Sequence, residues 1–346
     1  MPCEMKLTLN HNHSIDSAAS LKYRKPSRKV QETLISLFQK GHSPASALQC
    51  IKTDIQLNHS DYPLVLGDRS QCPDYKFCYN LYRKTLEKDY GPMDSNEGKE
   101  FLLQQRLLKY NTEVRNVCCK MVMKDADYII CICSQLMKKV HMCEEMAPEM
   151  VFIDSTGSLD HNGSRVFVLL TPSACGGLPL GIIVTSSESC EVLQIGFQLL
   201  KEIVGKDIFG GNIDGPHVFL IDDCKSEQNA IIRSFPRSTI ILCIFHVMQA
   251  VWRWLIKTKH GIPQDKKMQY FKDFKKIMYS KTKDEATVNY NAAKANICDE
   301  HNSYQTYLDG YWERRHLWAL PYQTRMLIQG HHTNNFSEAF MRILKD

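Results

Sequence analysis

Between residues 149 and 259, short apolar runs alternate with helical stripes, and that alternation limits the fold more than any other feature of the chain. Met150-Val151-Phe152-Ile153 is a four-residue apolar run that closes on Asp154. Arg165–Leu170 and Leu180–Val184 are two further runs. The segment joining them holds Pro172, Gly176, Gly177 and Pro179, which predicts an antiparallel pair with its hairpin turn at Gly176-Gly177. Leu193, Phe197, Leu200 and Val204 then share one helical face, and Gly205 ends that helix. Val218–Ile221 is a fourth run and closes on Asp222 and Asp223; a helix with Ala230 and Ile231 follows. Thr239–Leu242 is the fifth, ending at Cys243 before a helix that turns Val247, Ala250, Val251, Trp254 and Leu255 inward. The order βββαβαβα predicts an α/β fold whose second half pairs in parallel through right-handed crossovers.

The flanks read differently. Residues 264–328 are mostly helical, with one stripe of Met268, Phe271, Phe274 and Met278 and another of Tyr304, Tyr307, Leu308, Tyr311 and Trp312. They form a helical insertion, about 262–330, ahead of a last helix that opens at Thr333-Asn334-Asn335-Phe336-Ser337-Glu338. Upstream, residues 97–148 are a lead-in: a helix over 97–110, then strands Val117–Met123 and Tyr128–Cys133 around the turn Lys124-Asp125-Ala126-Asp127. Pro92, Asp94, Ser95, Asn96 and Gly98 predict a boundary near 92–97. Residues 22–92 read as a small helical domain. Val30, Leu34, Leu37 and Phe38 stripe its first helix, Gly41 stops it, Ser43-Pro44 starts the next, and Phe77, Leu81 and Leu86 stripe a third.

Length and composition set the outer limits. A chain of 346 residues suggests about two domains, and 43% apolar content excludes wholesale disorder. No window holds ~18 consecutive apolar residues, which excludes a membrane-spanning helix and a membrane as partner. The opening Met-Pro-Cys-Glu-Met-Lys lacks the pattern of a signal peptide, so the chain is expected to stay inside the cell, with its fourteen cysteines as reduced thiols or metal ligands. The net charge of +5 is concentrated at the start, where residues 1–40 hold seven Lys/Arg against three acids. Lys22, Arg24, Lys25, Arg28 and Lys29 form a run without an acid and are the DNA-binding candidates, since such a block neutralises phosphates. A solvated arm or a localisation signal is the alternative. Helix, tight turn and helix in a basic setting suits a helix-turn-helix DNA reader; an ordinary helical bundle fits the same pattern.

Ligands of parallel-type sheets collect at the carboxyl ends of strands. Asp154 and Asp222 both follow short apolar runs, and they face each other if the first and fourth strands are neighbours. Two close carboxylates repel, and Mg²⁺ or Mn²⁺ relieves that repulsion because hard cations prefer oxygen. A third acid would let two ions clamp a phosphodiester, and Glu338 is the candidate, 68 and 116 residues being the two spacings. Each acid also has an ordinary role open to it. An Asp after a strand caps helices or forms turns, Asp223 is the expected cap of the helix at 224–234, and Asn335 with Glu338 could form a capping box. Cys243-x-x-His246 is half of a zinc site or a buried thiol beside a polar histidine. No phosphate loop, no Gly-x-Ser-x-Gly elbow and no Cys-x-x-Cys pair is present, which removes those enzyme classes.

Taken in order, Phe152-Ile153-Asp154-Ser155-Thr156, Leu220-Ile221-Asp222-Asp223, Ala230-Ile231, Phe235-Pro236, Leu242-Cys243-Ile244-Phe245-His246-Val247, and Asn334-Asn335 before Glu338 resemble the Mutator-like (MULE) transposase domain, a ribonuclease-H-like DDE nuclease. The resemblance covers about residues 149–346, with a related lead-in from 97. It implies a ribonuclease-H-like mixed sheet with the helical insertion, and a catalytic triad of Asp154, Asp222 and Glu338 holding two Mg²⁺ or Mn²⁺ ions. It implies cleavage and strand transfer on double-stranded DNA, at element ends and target, in the nucleus. Cys243 and His246 correspond to the family's Cys-x-x-His element. A transposase-derived DNA-binding transcription regulator without catalysis is the alternative, and homo-oligomerisation stays open. Within residues 1–21, Cys3, His11 and His13 are similar to the end of a WRKY- or FLYWCH-type zinc finger, which would hold Zn²⁺ only if the finger is complete in the full protein. The finger lacks its first half here, the SWIM-type motif of relatives is absent, and the chain stops eight residues after Glu338, which suggests a partial gene product.

Overall fold

A computed structural model describes residues 14, 17–90, 99–157, 163–297, 299–323 and 330–345. Cys3, His11 and His13, and the boundary segment at 92–97, lie outside the described residues. The chain divides into two units, Met1–Lys99 and Glu100–Asp346.

The first unit is helical: α1 (Ala18–Leu21), α2 (Arg28–Gln39), α3 (Pro44–Asn58), α4 (Tyr62–Gly67) and α5 (Tyr75–Tyr90). Ser27 caps α2 through a bond from the Val30 N–H, and Ser43 caps α3 through one from Ser46. Gly41, at φ +90°, supplies the left-handed turn between them, a conformation that costs a residue with a Cβ. Val30, Leu34 and Phe38 of α2 close on Ala47, Leu48, Ile51 and Ile55 of α3.

The second unit opens with α6 (Lys99–Glu113) and is built on one seven-stranded mixed sheet. Its strands are β1 (Cys119–Lys124), β2 (Asp127–Ile132), β3 (Met150–Thr156), β4 (Arg165–Ser173), β5 (Gly176–Thr185), β6 (Val218–Ile221) and β7 (Thr239–Leu242), in the order β1-β2-β5-β4-β3-β6-β7. β3, β4 and β5 form an antiparallel meander; β6 and β7 run parallel to β3. The lead-in hairpin β1–β2 extends the same sheet by pairing with β5. This mixed sheet with interleaved helices is compatible with a ribonuclease-H-like fold.

The helices are α7 (Gln135–Cys143), α8 (Cys190–Val204), α9 (Lys225–Ser234), α10 (Ile244–Ile256), then α11 (Gln264–Met278), α12 (Lys283–Ala295) and α13 (Asn302–Glu313) of the insertion, and α14 (Asn335–Lys345). Alternation along the strands splits the core. Val151, Ile153, Phe219 and Ile221 face α8–α10 and the insertion, whereas Met150, Phe152, Val218 and Leu220 face α14. Both faces are covered, so the strands are apolar throughout rather than alternating.

Two sequence expectations shift. The β4–β5 turn falls at Ala174-Cys175, and Gly176 and Gly177 are the first residues of β5. A bulge at Leu180 offsets the pairing, which runs Leu169 to Gly181 and Leu170 to Pro179. In α11 the buried apolar positions are Tyr270, Phe274, Ile277 and Met278, while Met268 is exposed. The Tyr270 hydroxyl bonds His301 Nδ1 at 2.8 Å, and its ring stacks on Tyr304, which satisfies the polar end inside the core.

Candidate active site

Backbone geometry alone brings the first two acids together. β3 and β6 pair in parallel, Met150 with Val218 and Phe152 with Leu220. Two residues further along the same register, Asp154 comes opposite Asp222. The period of two also puts Asp154 on the face of Met150 and Phe152, Asp222 on that of Val218 and Leu220, and Cys243 on that of Ile241. All three belong to the side that α14 covers. Phe336 and Met341 pack α14 onto that face, and Glu338 stands in its first turn.

His246 occupies the space between the acids. Its Nδ1 lies 2.5 Å from Asp222 Oδ1 and its Nε2 lies 3.8 Å from Glu338 Oε1. Asp222 Oδ1 and His246 Nδ1 are both buried. The contact with Asp222, and after it that with Cys243, raises the imidazole to about 10, so the ring is a cation in this arrangement. Asp154 is pushed the opposite way from a stabilised carboxylate. Burial first, and then the neighbouring Asp222 charge, raises it to about 6, although Ser155 N–H donates to its Oδ1 at 2.8 Å.

The loop before α14 ties these elements to one another. Asn334 donates from its backbone N–H to Cys243 Sγ at 3.3 Å and from its side-chain amide to the Ile153 carbonyl at 3.3 Å. The Ile244 N–H donates to His332 O. Cys243 is thus the buried N-terminal cap position of α10 and an acceptor for the loop. The Asn335 and Glu338 pair does not form a capping box: Asn335 is the first residue of the helix, and the Ser337 and Glu338 N–H groups bond to Asn334 O.

Asp223 is not a helix cap, contrary to the sequence expectation. Cys224 holds the cap position of α9. Asp223 instead accepts both guanidinium arms of Arg314 and bonds to Tyr311 and Gln228, which anchors the insertion beside Asp222. The site also contains an acid that sequence reasoning missed. Glu227, in the first turn of α9, is buried, and desolvation holds its carboxyl well above the usual range. Only its position five residues after Asp222 could have flagged it. In the first unit Lys22, Arg24, Lys25, Arg28 and Lys29 are all exposed. Arg24 pairs with Asp68 and Arg28 with Glu32.

Asp154 and Asp222 are the oxygen donors here that suit a hard divalent cation. They carry like charge, Glu338 stands across His246, and burial followed by the Asp222 charge raises Asp154. Among the described residues, the three donors whose ligand atoms lie within 4.8 Å of one another are Asp222, Cys243 and His246; Asp154, Asp222 and Glu338 do not come that close together in this arrangement.

A search of curated proteins found no match to the chain. Residues 166–250, from β4 into α10, match the family model of the MULE transposase domain; the matched segment includes Asp222, Cys243 and His246, while Asp154 and Glu338 lie outside it. Over that segment the chain is similar to the MULE transposase domain.

Proposed function

We propose that this protein is a MULE-type DDE transposase, or a protein derived from one, whose second unit cleaves and rejoins DNA strands. The observation that carries the reading is the alignment of Asp154 with Asp222 across β3 and β6, with Glu338 reaching the same space from α14. Burial and the neighbouring Asp222 charge make an ionised Asp154 costly to the fold, and a role in binding a cation accounts for it.

Asp154, Asp222 and Glu338 would hold Mg²⁺ or Mn²⁺, which would supply positive charge for attack on a phosphodiester. The remaining chemistry belongs to the chain. His246 fixes the Asp222 carboxylate and offsets its charge. Asn334 holds the Ile153 carbonyl and Cys243, so the sheet edge and the start of α10 stay in register with α14. The apolar residues beneath Asp154 keep water from its inner side. Double-stranded DNA is the substrate that goes with this reading, the basic residues of the first unit would bind it, and the nucleus is its expected location.

The test is strand nicking of supercoiled DNA and of candidate element ends with Mg²⁺ or Mn²⁺. Wild-type protein should nick, and Asp222→Asn or Glu338→Gln should lower the rate at least about 100-fold. DNA binding without nicking under either metal, unchanged by those substitutions, would support a regulator instead.

A further inference from the structure

Beside the acids lies a groove that the proposed chemistry has not used. It runs between α10 and α11, has a volume of about 420 Å³, and is lined by Phe245, Met248 and Trp252 on one side and Phe271, Lys275 and Tyr279 on the other. One end touches the site: Phe245 precedes His246, and Thr333, which also lines the groove, precedes Asn334. The other end continues into a hollow of about 520 Å³ that shares Lys275 and Tyr279 and adds Lys272, Asn289, Glu285, whose carboxylate accepts the Lys281 N–H, and Lys276, which pairs with Asp273. Phe245 and Tyr279 are 49% and 46% exposed, so each ring leaves about half its surface open to solvent. Helix α11 carries five lysines against two acids. Among the described residues, neither Lys272 nor Lys275 is paired with a carboxylate, and Lys275 Nζ sits 5.8 Å from the Tyr279 ring centre.

We propose that this groove holds an unpaired DNA strand next to the acid cluster. Bases would stack on Phe245 and Tyr279, and their phosphates would meet Lys272 and Lys275. Exposed aromatic faces reward unpaired bases, whose π-faces are free, and duplex DNA hides those faces. The lysine rim selects a polyanion over an apolar protein helix. The volume exceeds the ~300 Å³ lower bound for ligand pockets, room for about one nucleotide. The inference rests on the reading of the neighbouring acids as a DNA-cleaving site.

The test is fluorescence anisotropy of the full chain with a labelled oligothymidine of about 12 nucleotides and with a duplex of equal length. Tyr279→Ala, Phe245→Ala and Lys275→Glu should each weaken single-strand binding about tenfold, change duplex binding less than about twofold, and leave thermal unfolding unchanged. Asp154→Asn should bind the single strand like wild type. The proposal is overturned if wild type does not bind the oligonucleotide, if the three variants bind it within about twofold of wild type, or if duplex binding falls equally. Nicking separates the two readings. A wild type that binds through the groove but never nicks keeps the groove and removes the nuclease. A wild type that nicks, with groove variants that bind and nick normally, removes only the groove.

Discussion

His141 and His246 make opposite uses of a buried imidazole. His141, on α7, is buried, and both ring nitrogens are satisfied: Nε2 donates to Leu180 O at 3.0 Å, and Phe209 N–H donates to Nδ1 at 3.1 Å. The bulge at Leu180 frees that carbonyl from the β4 ladder, and the left-handed backbone at Phe209 aims its N–H at the ring. Burial lowers this histidine to about 4, so it is a neutral structural link. His246 is charged and flanked by two carboxylates, and in the segment that carries Glu338 the buried Asn334 Oδ1 and Ser337 Oγ lack hydrogen-bond partners among the described residues. One region is saturated and the other is left open. The first is what stability selects, and the second is what a binding or catalytic site requires.

The difference predicts opposite signs on mutation. His141→Leu leaves the Phe209 N–H without its acceptor and should cost about 3 kcal/mol, read by denaturant unfolding at pH 7. In wild type, the unfolded His141 binds a proton near 6.5 and the folded one only near 4. Stability should therefore fall as pH drops from 6.5 to 4, by up to about 3 kcal/mol from this group, and the variant should lose that component. A variant as stable as wild type, with the same pH slope, would break the contrast.

At the acid cluster the effect reverses. Asp154 titrates near 6 in the fold against 3.8 in the open chain. Its charge therefore opposes folding, and stability falls as pH rises from about 4 to 6. Asp154→Asn keeps the acceptor for Ser155 and removes the charge, so it should raise stability by about 2 kcal/mol at pH 7.5 in chelator. A thermal scan that shows destabilisation would mean that the carboxylate is structural.

The smallest effect sharpens the contrast from outside both regions. Lys120 and Glu202 pair at 2.7 Å, with both side chains more than a third exposed. Lys120→Ala should change stability by less than about 0.5 kcal/mol, because water screens such a pair. A larger loss would show that charge pairing anywhere on this sheet matters, not only where it is buried.

Much of this was legible in the sequence, and the exceptions have physical causes. The five runs from Met150 to Leu242 form strands in the expected order, because short apolar segments alternating with helical stripes have few ways to pack. The juxtaposition of Asp154 with Asp222 follows from that order, since parallel neighbours in register align their ends. Glu338 is harder to assign, because 116 residues separate it from Asp222 and only the packing of Phe336 and Met341 fixes its height. The partner of Asp223 could not be read at all: Arg314 is 91 residues away, on the insertion. Nor could the bridging position of His246, which depends on the turn from β7 into α10. In α11 the apolar count favoured Met268, yet Tyr270 is the buried residue, because His301 waits to bond its hydroxyl.

The central claim is that Asp154, Asp222 and Glu338 form one cation site. Mn²⁺ binding measured by electron paramagnetic resonance tests it most directly. The account predicts that wild type binds Mn²⁺ and that Asp154→Asn and Asp222→Asn each weaken binding at least about tenfold. Equal Mn²⁺ affinity in wild type and both variants, or no binding in wild type, would contradict it.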